Sequence, residues 1–298
     1  MRRLVVIDAA NTLYRAFFAI PPLRSREGFP THAVYGFANM LRKVMREEVP
    51  DAVVVAMDPP GPSFRAEISA DYKATRDAQP EDLSCQIPVA LDVVRAHGIP
   101  ILEVPGFEAD DLIASLAHRA PPDLELVIVS TDKDLMQLVG ERVTLLDTMK
   151  DKRVGPREVE ARFGVPPEQL LDLRALVGDP SDNIPGVRGI GEKGAAKLLA
   201  QWGDLDTLLA HADQVEAKRA REALQSQADT AQLSRRLATL RDDAPLDLDL
   251  EDLPPPHSDA EALAALYRRL GFTRLVEELE AAGVAKPASP EARVETRV

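Results

Sequence analysis

Five short apolar runs punctuate the first 150 residues, and the longer ones stop at or near an acid. Leu4-Val5-Val6-Ile7 ends at Asp8, and Ala52-Val53-Val54-Val55-Ala56-Met57 ends at Asp58. Leu124 to Val129 runs into Ser130-Thr131-Asp132-Lys133-Asp134, while Ile99 to Leu102 and Val143 to Leu146 are briefer. Their length and β-branched content predict buried parallel strands. Between them, residues 33–48 carry a helical period through Val34, Phe37, Ala38, Leu41, Val44 and Met45, and 84–97 carry another. A helix also opens at Gly106-Phe107-Glu108-Ala109-Asp110-Asp111 and runs through Leu116. Strand and helix in alternation predict an α/β fold: an open, mainly parallel sheet with helices on both faces. In such sheets sites lie outside the carboxyl ends of the strands, where Asp8, Asp58 and Asp132 all stand.

Beyond about residue 155 the strand signal ends. Helices are predicted at 156–163, 167–177, 193–202, 205–210, 215–225 and 228–240. Residues 242–256, acidic and rich in proline, predict an extended connector. Two helices follow near 258–270 and 273–282. The chain therefore divides into an α/β region over 1–166, an all-helical region over 167–284 and a disordered tail over 285–298.

Composition narrows the chemistry. A single cysteine, Cys85, excludes an internal disulfide framework and a cysteine-rich zinc site, and favours a reducing, cytoplasmic setting. No apolar run is long enough to span a membrane. The net charge of −13 argues against nucleic acid until its distribution is considered. Six acids fall in 242–252, which lacks lysine and arginine, and nine more form a candidate site; the remainder of the chain is slightly positive.

The nine are Asp8, Asp58, Glu108, Asp110, Asp111, Asp132, Asp134, Asp179 and Asp182. Each has an ordinary reading. Acids suit a first helical turn, Thr131 with Asp134 resembles a capping box, and Asp179-Pro180-Ser181-Asp182-Asn183 suits a turn. Together they would crowd one crevice. Two carboxylates ~5 Å apart repel by about 3 kcal/mol at an effective dielectric of ~20, and several such pairs threaten a fold stable by only ~5–15 kcal/mol. A cation must sit among them. Oxygen donors without His or Cys fit Mg²⁺ or Mn²⁺ and not zinc. Paired ions of this kind serve phosphodiester hydrolysis, one preparing the attacking water and the other holding the leaving oxygen. A structural or calcium-storage site is the alternative.

Two further stretches bear on substrate. Ile184-Pro185-Gly186-Val187-Arg188-Gly189-Ile190-Gly191-Glu192-Lys193-Gly194 matches a dinucleotide fingerprint in form, but no strand precedes it. It reads better as a glycine turn feeding a helix, able to hold a phosphate with Arg188, Lys193 and Lys197 nearby. Such a grip sees backbone and not base. Residues 64–76 bring Arg65, Tyr72, Lys73 and Arg76 close after Asp58, a set that could hold a single strand by charge and stacking, or form a solvated helix face. Tyr14 is a second stacking candidate.

Taken together these motifs resemble the 5′-nuclease family of flap endonucleases, phage 5′-exonucleases and the amino-terminal nuclease domain of bacterial DNA polymerase I, and are most like the last. The motifs are Val6-Ile7-Asp8 with Tyr14-Arg15, Ala56-Met57-Asp58, Tyr72-Lys73-Ala74-Thr75-Arg76, Gly106 to Asp111, Ser130 to Asp134, Gly178 to Gly186 and the glycine turn. The resemblance runs from Leu4 to about Gly283. It implies a PIN-like catalytic domain over 1–166 with a helical arch about 60–85, then a helix–three-turn–helix DNA clamp about 184–200 inside the 167–284 region. It implies two Mg²⁺ ions, replaceable by Mn²⁺: Asp8, Asp58, Glu108, Asp110 and Asp111 around the first, and Asp132, Asp134, Asp179 and Asp182 around the second. Lys73 and Arg76 would steer the scissile phosphate beside the catalytic Asp132, and Tyr14 would stack near the cut. Arg65, Tyr72, Arg188, Gly189, Gly191, Lys193 and Lys197 would complete the DNA contacts, with K⁺ at the glycine turn. The implied partner is DNA with a 5′ flap, nick or free 5′ end, handled by a cytoplasmic, nucleoid-associated monomer working beside a separate polymerase. Ala9 stands where the family has glycine, and Gly194 where it has Ser or Thr. A non-catalytic DNA binder and a metal-dependent ribonuclease are the rival readings.

Overall fold

A computed structural model describes residues 2–281; the disordered tail expected at 285–298 lies outside the described residues. In chain order the elements are β1 (Arg2–Asp8), α1 (Ala9–Ala19), α2 (His32–Glu48), β2 (Ala52–Ala56), α3 (Phe64–Ile68), α4 (Glu81–Ser84), α5 (Gln86–Ala96), β3 (Ile101–Leu102), α6 (Ala109–Arg119), β4 (Leu124–Val129), β5 (Val143–Asp147) and β6 (Lys152–Val154). The helical part follows as α7 (Pro156–Phe163), α8 (Leu170–Val177), α9 (Glu192–Trp202), α10 (Leu205–Ala210), α11 (Lys218–Ser226), α12 (Ala228–Ala238), α13 (Ala260–Leu270) and α14 (Thr273–Ala281).

The strands form one sheet in the order β3-β2-β1-β4-β5-β6. The first five run parallel and only β6 is antiparallel to its neighbour. Ile7 lies opposite Val55 on one side and Val129 on the other. The strand order reverses between β1 and β4, which opens a crevice at their carboxyl ends. Along β1, Leu4 and Val6 join one core while Val5 and Ile7 join the other. Both faces are covered, which is why the strand is apolar throughout.

The Leu4/Val6 face carries α6 and the helical part, with Leu173, Leu176, Leu199 and Leu208 in the shared core. The Val5/Ile7 face carries α1, α2 and α5 through Leu13, Phe37, Leu41 and Val94. Helix α13 and the start of α14 also lie on this second face, through Leu263, Tyr267, Leu270 and Leu275. The last two helices therefore belong with the sheet, and the expected helical region over 167–284 is broken at its end. Their leucine stripe packs on the layer made by α2 and α5, with Phe272 against Tyr35 at 5.1 Å between ring centroids, and not on the helical part. Between the two faces, 242–256 runs without helix or strand but is no free linker. Ala244, Leu246, Leu250 and Leu253 are buried, and Arg119 donates to the carbonyls of Leu246 and Leu248 at 3.1 and 2.9 Å.

Two elements escaped the pattern reading. Helix α1 buries Ala9, Thr12, Leu13 and Ala16, an apolar face of helical spacing. Strand β6 is three residues long, two of them charged, as suits an exposed edge.

Candidate metal centre and nucleic-acid interface

Asp8 closes β1 and caps α1. Its Oδ1 accepts from the Asn11 N–H at 3.0 Å and its Oδ2 from Ser130 Oγ at 2.9 Å, so the ends of β1 and β4 are tied together at the crevice. Asp58 follows β2 and accepts from the Ala109 N–H at 2.7 Å, which fixes the start of α6. Asp132 accepts from the Asp134 N–H at 2.8 Å, and its own N–H donates to Ser130 Oγ at 3.1 Å. Asp110 stands in the first turn of α6.

These four make no ion pair among the described residues, and the strain shows in the protonation of Asp8 and Asp110. Burial pushes the Asp8 carboxyl up to about 7; bonds from Asn11 and Ser130 oppose this, and Asp132 and Asp58 add to it. Burial likewise holds Asp110 well above the usual carboxylate range, reinforced by the charges of Asp132, Asp8, Asp58 and Asp134. Among the described residues no three such groups meet at one point as a finished cage. They sense one another's charge without converging, an arrangement suited to a hard cation that keeps several waters and takes one or two carboxylates directly. The donor set fits Mg²⁺ or Mn²⁺.

A second set of acids is neutralised from within. Glu108 accepts from Ser63 Oγ at 3.0 Å, Tyr72 Oη at 3.1 Å and Arg65 at 3.3 Å, and pairs with Lys73 Nζ at 2.9 Å. Burial pushes its carboxyl up, but Lys73 and Arg65 outweigh this and hold it below the usual range. Asp182 pairs with Arg76 at 2.5 Å. The Tyr72 hydroxyl lies 3.1 Å from Glu108 and 3.2 Å from Asp182, between one acid of α6 and one of the helical part. Arg174 of α8 bridges Asp134 at 2.5 Å and Asp179 at 2.7 Å. Burial still carries Asp134 up to about 6 against the pull of Arg174. Asp134 thus answers an arginine, and the capping box with Thr131 does not form; Thr131 bonds Asn11 instead.

Two residues leave the expected site. Asp111 is 0% exposed, and both its oxygens are held by Arg65 at 2.7 and 2.8 Å. It faces the interior as the counter-ion of that arginine and not the crevice. Arg65 itself is 2% exposed, so it cannot be a surface DNA contact.

Two family models match adjoining parts of the chain: "5′-3′ exonuclease, N-terminal resolvase-like domain" over residues 3–164 and "5′-3′ exonuclease, C-terminal SAM fold" over 165–261. A 5′-3′ exonuclease of Aquifex aeolicus is 38% identical over 281 residues, covering 94% of this chain and 96% of that protein. The chain belongs to the 5′-3′ exonuclease family. DNA polymerase I of Bacillus caldotenax is 42% identical over 284 residues, but the chain spans only 32% of its length. The fold is shared with the phage T5 D15 flap endonuclease, solved with DNA and metal ions, at a TM-score of 0.67 and 20% identity over 94% of this chain and all of that one. Flap endonuclease-1 of Methanococcus jannaschii gives 0.60 at 18% identity over 93% of this chain and 90% of that one.

Of the remaining expected positions, Lys73 and Arg76 reach the acids of the crevice, through Glu108 and Asp182. The stretch 60–85 holds only two short helices, α3 and α4. Lys73 lies in a turn and Arg76 in irregular chain, not on a helical arch; prolines at 59, 60, 62 and 80 and a left-handed Lys73 (φ 55°) prevent a continuous helix. Lys73 is held there by its N–H to the Asp182 carbonyl at 3.0 Å, and Asn183 donates to the Asp71 carbonyl at 2.7 Å. Gly178 and Gly186 let the 178–186 turn close on itself. Both have positive φ, and a Cβ on either would lie 2.5 Å from backbone atoms of the other strand of the turn. Beyond it, Val187 and Ile190 anchor the loop in the core while Arg188, Gly189, Gly191, Lys193 and Lys197 are exposed. Gly191 opens α9 without a side-chain cap. Tyr14, 51% exposed, lies on α1 against Phe18 at 4.7 Å between ring centroids. Ala9, in the family's glycine position, is fully buried at the start of α1.

Asn11, Ser130, Ser63 and Arg174 were not foreseen. Arg174 carried a signal: it is a lone cation among leucines in Leu170-Leu171-Asp172-Leu173-Arg174-Ala175-Leu176.

Proposed function

We propose that the protein is a Mg²⁺-dependent 5′→3′ exonuclease and 5′-flap endonuclease that hydrolyses DNA phosphodiesters in repair and primer processing. The observation that carries this reading is the unpaired acid group, Asp8, Asp58, Asp110 and Asp132, at the reversal point of the sheet. Divalent ions bound among these acids would supply a nucleophilic water at neutral pH and charge stabilisation at the leaving oxygen. Asp8, Asp58, Asp110 and Asp132 would hold the first ion. Asp134, Asp179 and Asp182 would hold a second once Arg174 and Arg76 yield.

The protein's own residues do the rest. Lys73 and Arg76 present positive charge beside the acids, where a scissile phosphate would be oriented. Tyr14 offers a ring for an unpaired base. The exposed turn at Arg188, Gly189, Gly191, Lys193 and Lys197 would grip duplex backbone without reading sequence. In this reading the α/β part performs the chemistry and the helical part through α12 sets the distance to the duplex. The same reading puts the protein in the cytoplasm beside a polymerase, with support from the relatives named DNA polymerase I. No helix of the described residues is long and apolar enough to cross a membrane.

The deciding experiment is product length on a 5′-flap duplex with Mg²⁺ and with EDTA. Short 5′ products that vanish with EDTA are expected; no cleavage with Mg²⁺ or Mn²⁺ alongside tight binding would leave a DNA-binding protein only.

A further inference from the structure

Arg65 is among the bulkiest fully buried side chains of the described residues, and it sits inside a stretch whose other basic residues, Lys73 and Arg76, pair with acids of the crevice. Every N–H it owns is used. Nε donates to the Leu237 carbonyl at 2.9 Å. Nη1 donates to Asp111 Oδ2 at 2.7 Å and Glu108 Oε2 at 3.3 Å. Nη2 donates to Asp111 Oδ1 at 2.8 Å and the Thr239 carbonyl at 2.8 Å. The Phe64 ring covers the guanidinium at 4.5 Å. A charge this deep persists only where fully paired, and the planar fork is what lysine cannot reproduce.

Three segments meet on this one side chain: the base of the 64–76 stretch, the start of α6 and the end of α12. Asp111 extends the knot, accepting from the Glu108 N–H at 3.0 Å and the Arg241 N–H at 2.9 Å. Arg65 thus holds Glu108 twice, through its carboxylate directly and through its backbone by way of Asp111. Glu108 in turn carries Lys73 and Tyr72.

We infer that Arg65 is a positioning residue for cleavage: it sets Glu108, and through Glu108 the Lys73 ammonium, and it never touches DNA. The inference rests on the exonuclease reading above. Its test uses the full chain as wild type, Arg65→Lys, Asp111→Asn and the double variant, with single-turnover cleavage of a 5′-flap duplex in Mg²⁺ and DNA affinity across a KCl series. Cleavage by the wild type addresses the exonuclease reading alone, and its absence would end both. Given cleavage, each single variant is expected to lose about 100-fold in maximal rate through a small misplacement. KM and DNA affinity should stay within about threefold, and the salt slope of binding should not change. The double variant should be no slower than the slower single one, because both cut one knot. Weakened binding with a salt slope reduced by about one would make Arg65 a phosphate contact and overturn the inference. Wild-type rates in folded variants, or losses that multiply in the double variant, would overturn it as well. Should Arg65→Lys fail to fold, Asp111→Asn carries the same comparison; loss of fold in both, read by circular dichroism, would make the role one of stability and equally sink it.

Discussion

Two sets of acids share the crevice and differ in what balances them. Asp8, Asp58, Asp110 and Asp132 come from strand ends and the first turn of α6, and have only N–H groups, a hydroxyl and each other for company. Glu108, Asp134, Asp179 and Asp182 lie a few residues away along the chain or across the helical part, and each is paired with a lysine or arginine, Asp134 and Asp179 sharing Arg174. The difference teaches where an ion from solution would be held at once and where it would have to compete. The first set has room in its charge balance for a cation from solution. The second already contains four, Arg65, Lys73, Arg76 and Arg174, and two of those, Lys73 and Arg76, are the ones proposed to meet a phosphate. Substrate arriving at Lys73 and Arg76 would free the second set, so ion binding and DNA binding would favour each other there.

The comparison breaks most sharply on an acid from each set. Asp132→Asn should lower flap cleavage by roughly three orders of magnitude with DNA affinity nearly unchanged, whereas Asp179→Asn should lose only about tenfold; equal losses in a cleavage assay would erase the distinction. Arg76→Gln removes one internal cation, so calorimetric titration with Mn²⁺ should find the second set binding about tenfold tighter than in the wild type. Acidity gives a subtler check. The folded-state carboxyls of Asp8, at about 7, and Asp134, at about 6, lie above their unfolded values, so the folded state holds protons that the unfolded state has lost. Stability of the ion-free protein should therefore fall as pH rises from about 5 to about 8, by a few degrees in Tm, and Mg²⁺ should restore more at the higher pH. A melting temperature flat across that range would show that the first set is already neutralised. The smallest effect belongs outside both sets: Lys193→Ala should weaken duplex binding a few-fold and lower the salt slope by about one, leaving ion titrations untouched.

Much of the fold was legible because apolar runs that stop at an acid describe strands that end at a site. The helical half was legible from period and glycine punctuation. What could not be read was direction. Asp110 and Asp111 are adjacent in sequence, yet helical geometry turns them about 100° apart. One faces the crevice and the other the interior, and nothing local distinguishes them until Arg65 is known to be buried. Arg65 itself sits between Phe64 and Ala66 in a charged stretch, where a surface position is the natural reading. The 242–256 segment did carry a usable cue. Leu246-Asp247-Leu248-Asp249-Leu250 alternates with period two, as a chain does when one side is packed and the other wet, though acids and prolines around it are equally the composition of a solvated connector. The docking of α13 and α14 is a tertiary choice, since their leucine faces would suit either side of the sheet.

That alternating segment has a consequence for how such a molecule can be taken apart. After α12 the polypeptide passes the start of β1, where Arg2 donates to the Leu250 carbonyl at 3.4 Å, and reaches the end of α5, where His257 and Asp259 donate to the carbonyls of His97 and Ala96, so the whole is belted like a parcel with its own string. Cutting the belt near residue 241 would leave α2 and α5 short of the cover that α13 and α14 give them. The two halves are consequently not beads that could be traded between relatives: the last stretch of chain belongs to the first half, and a boundary drawn once along the sequence misplaces it.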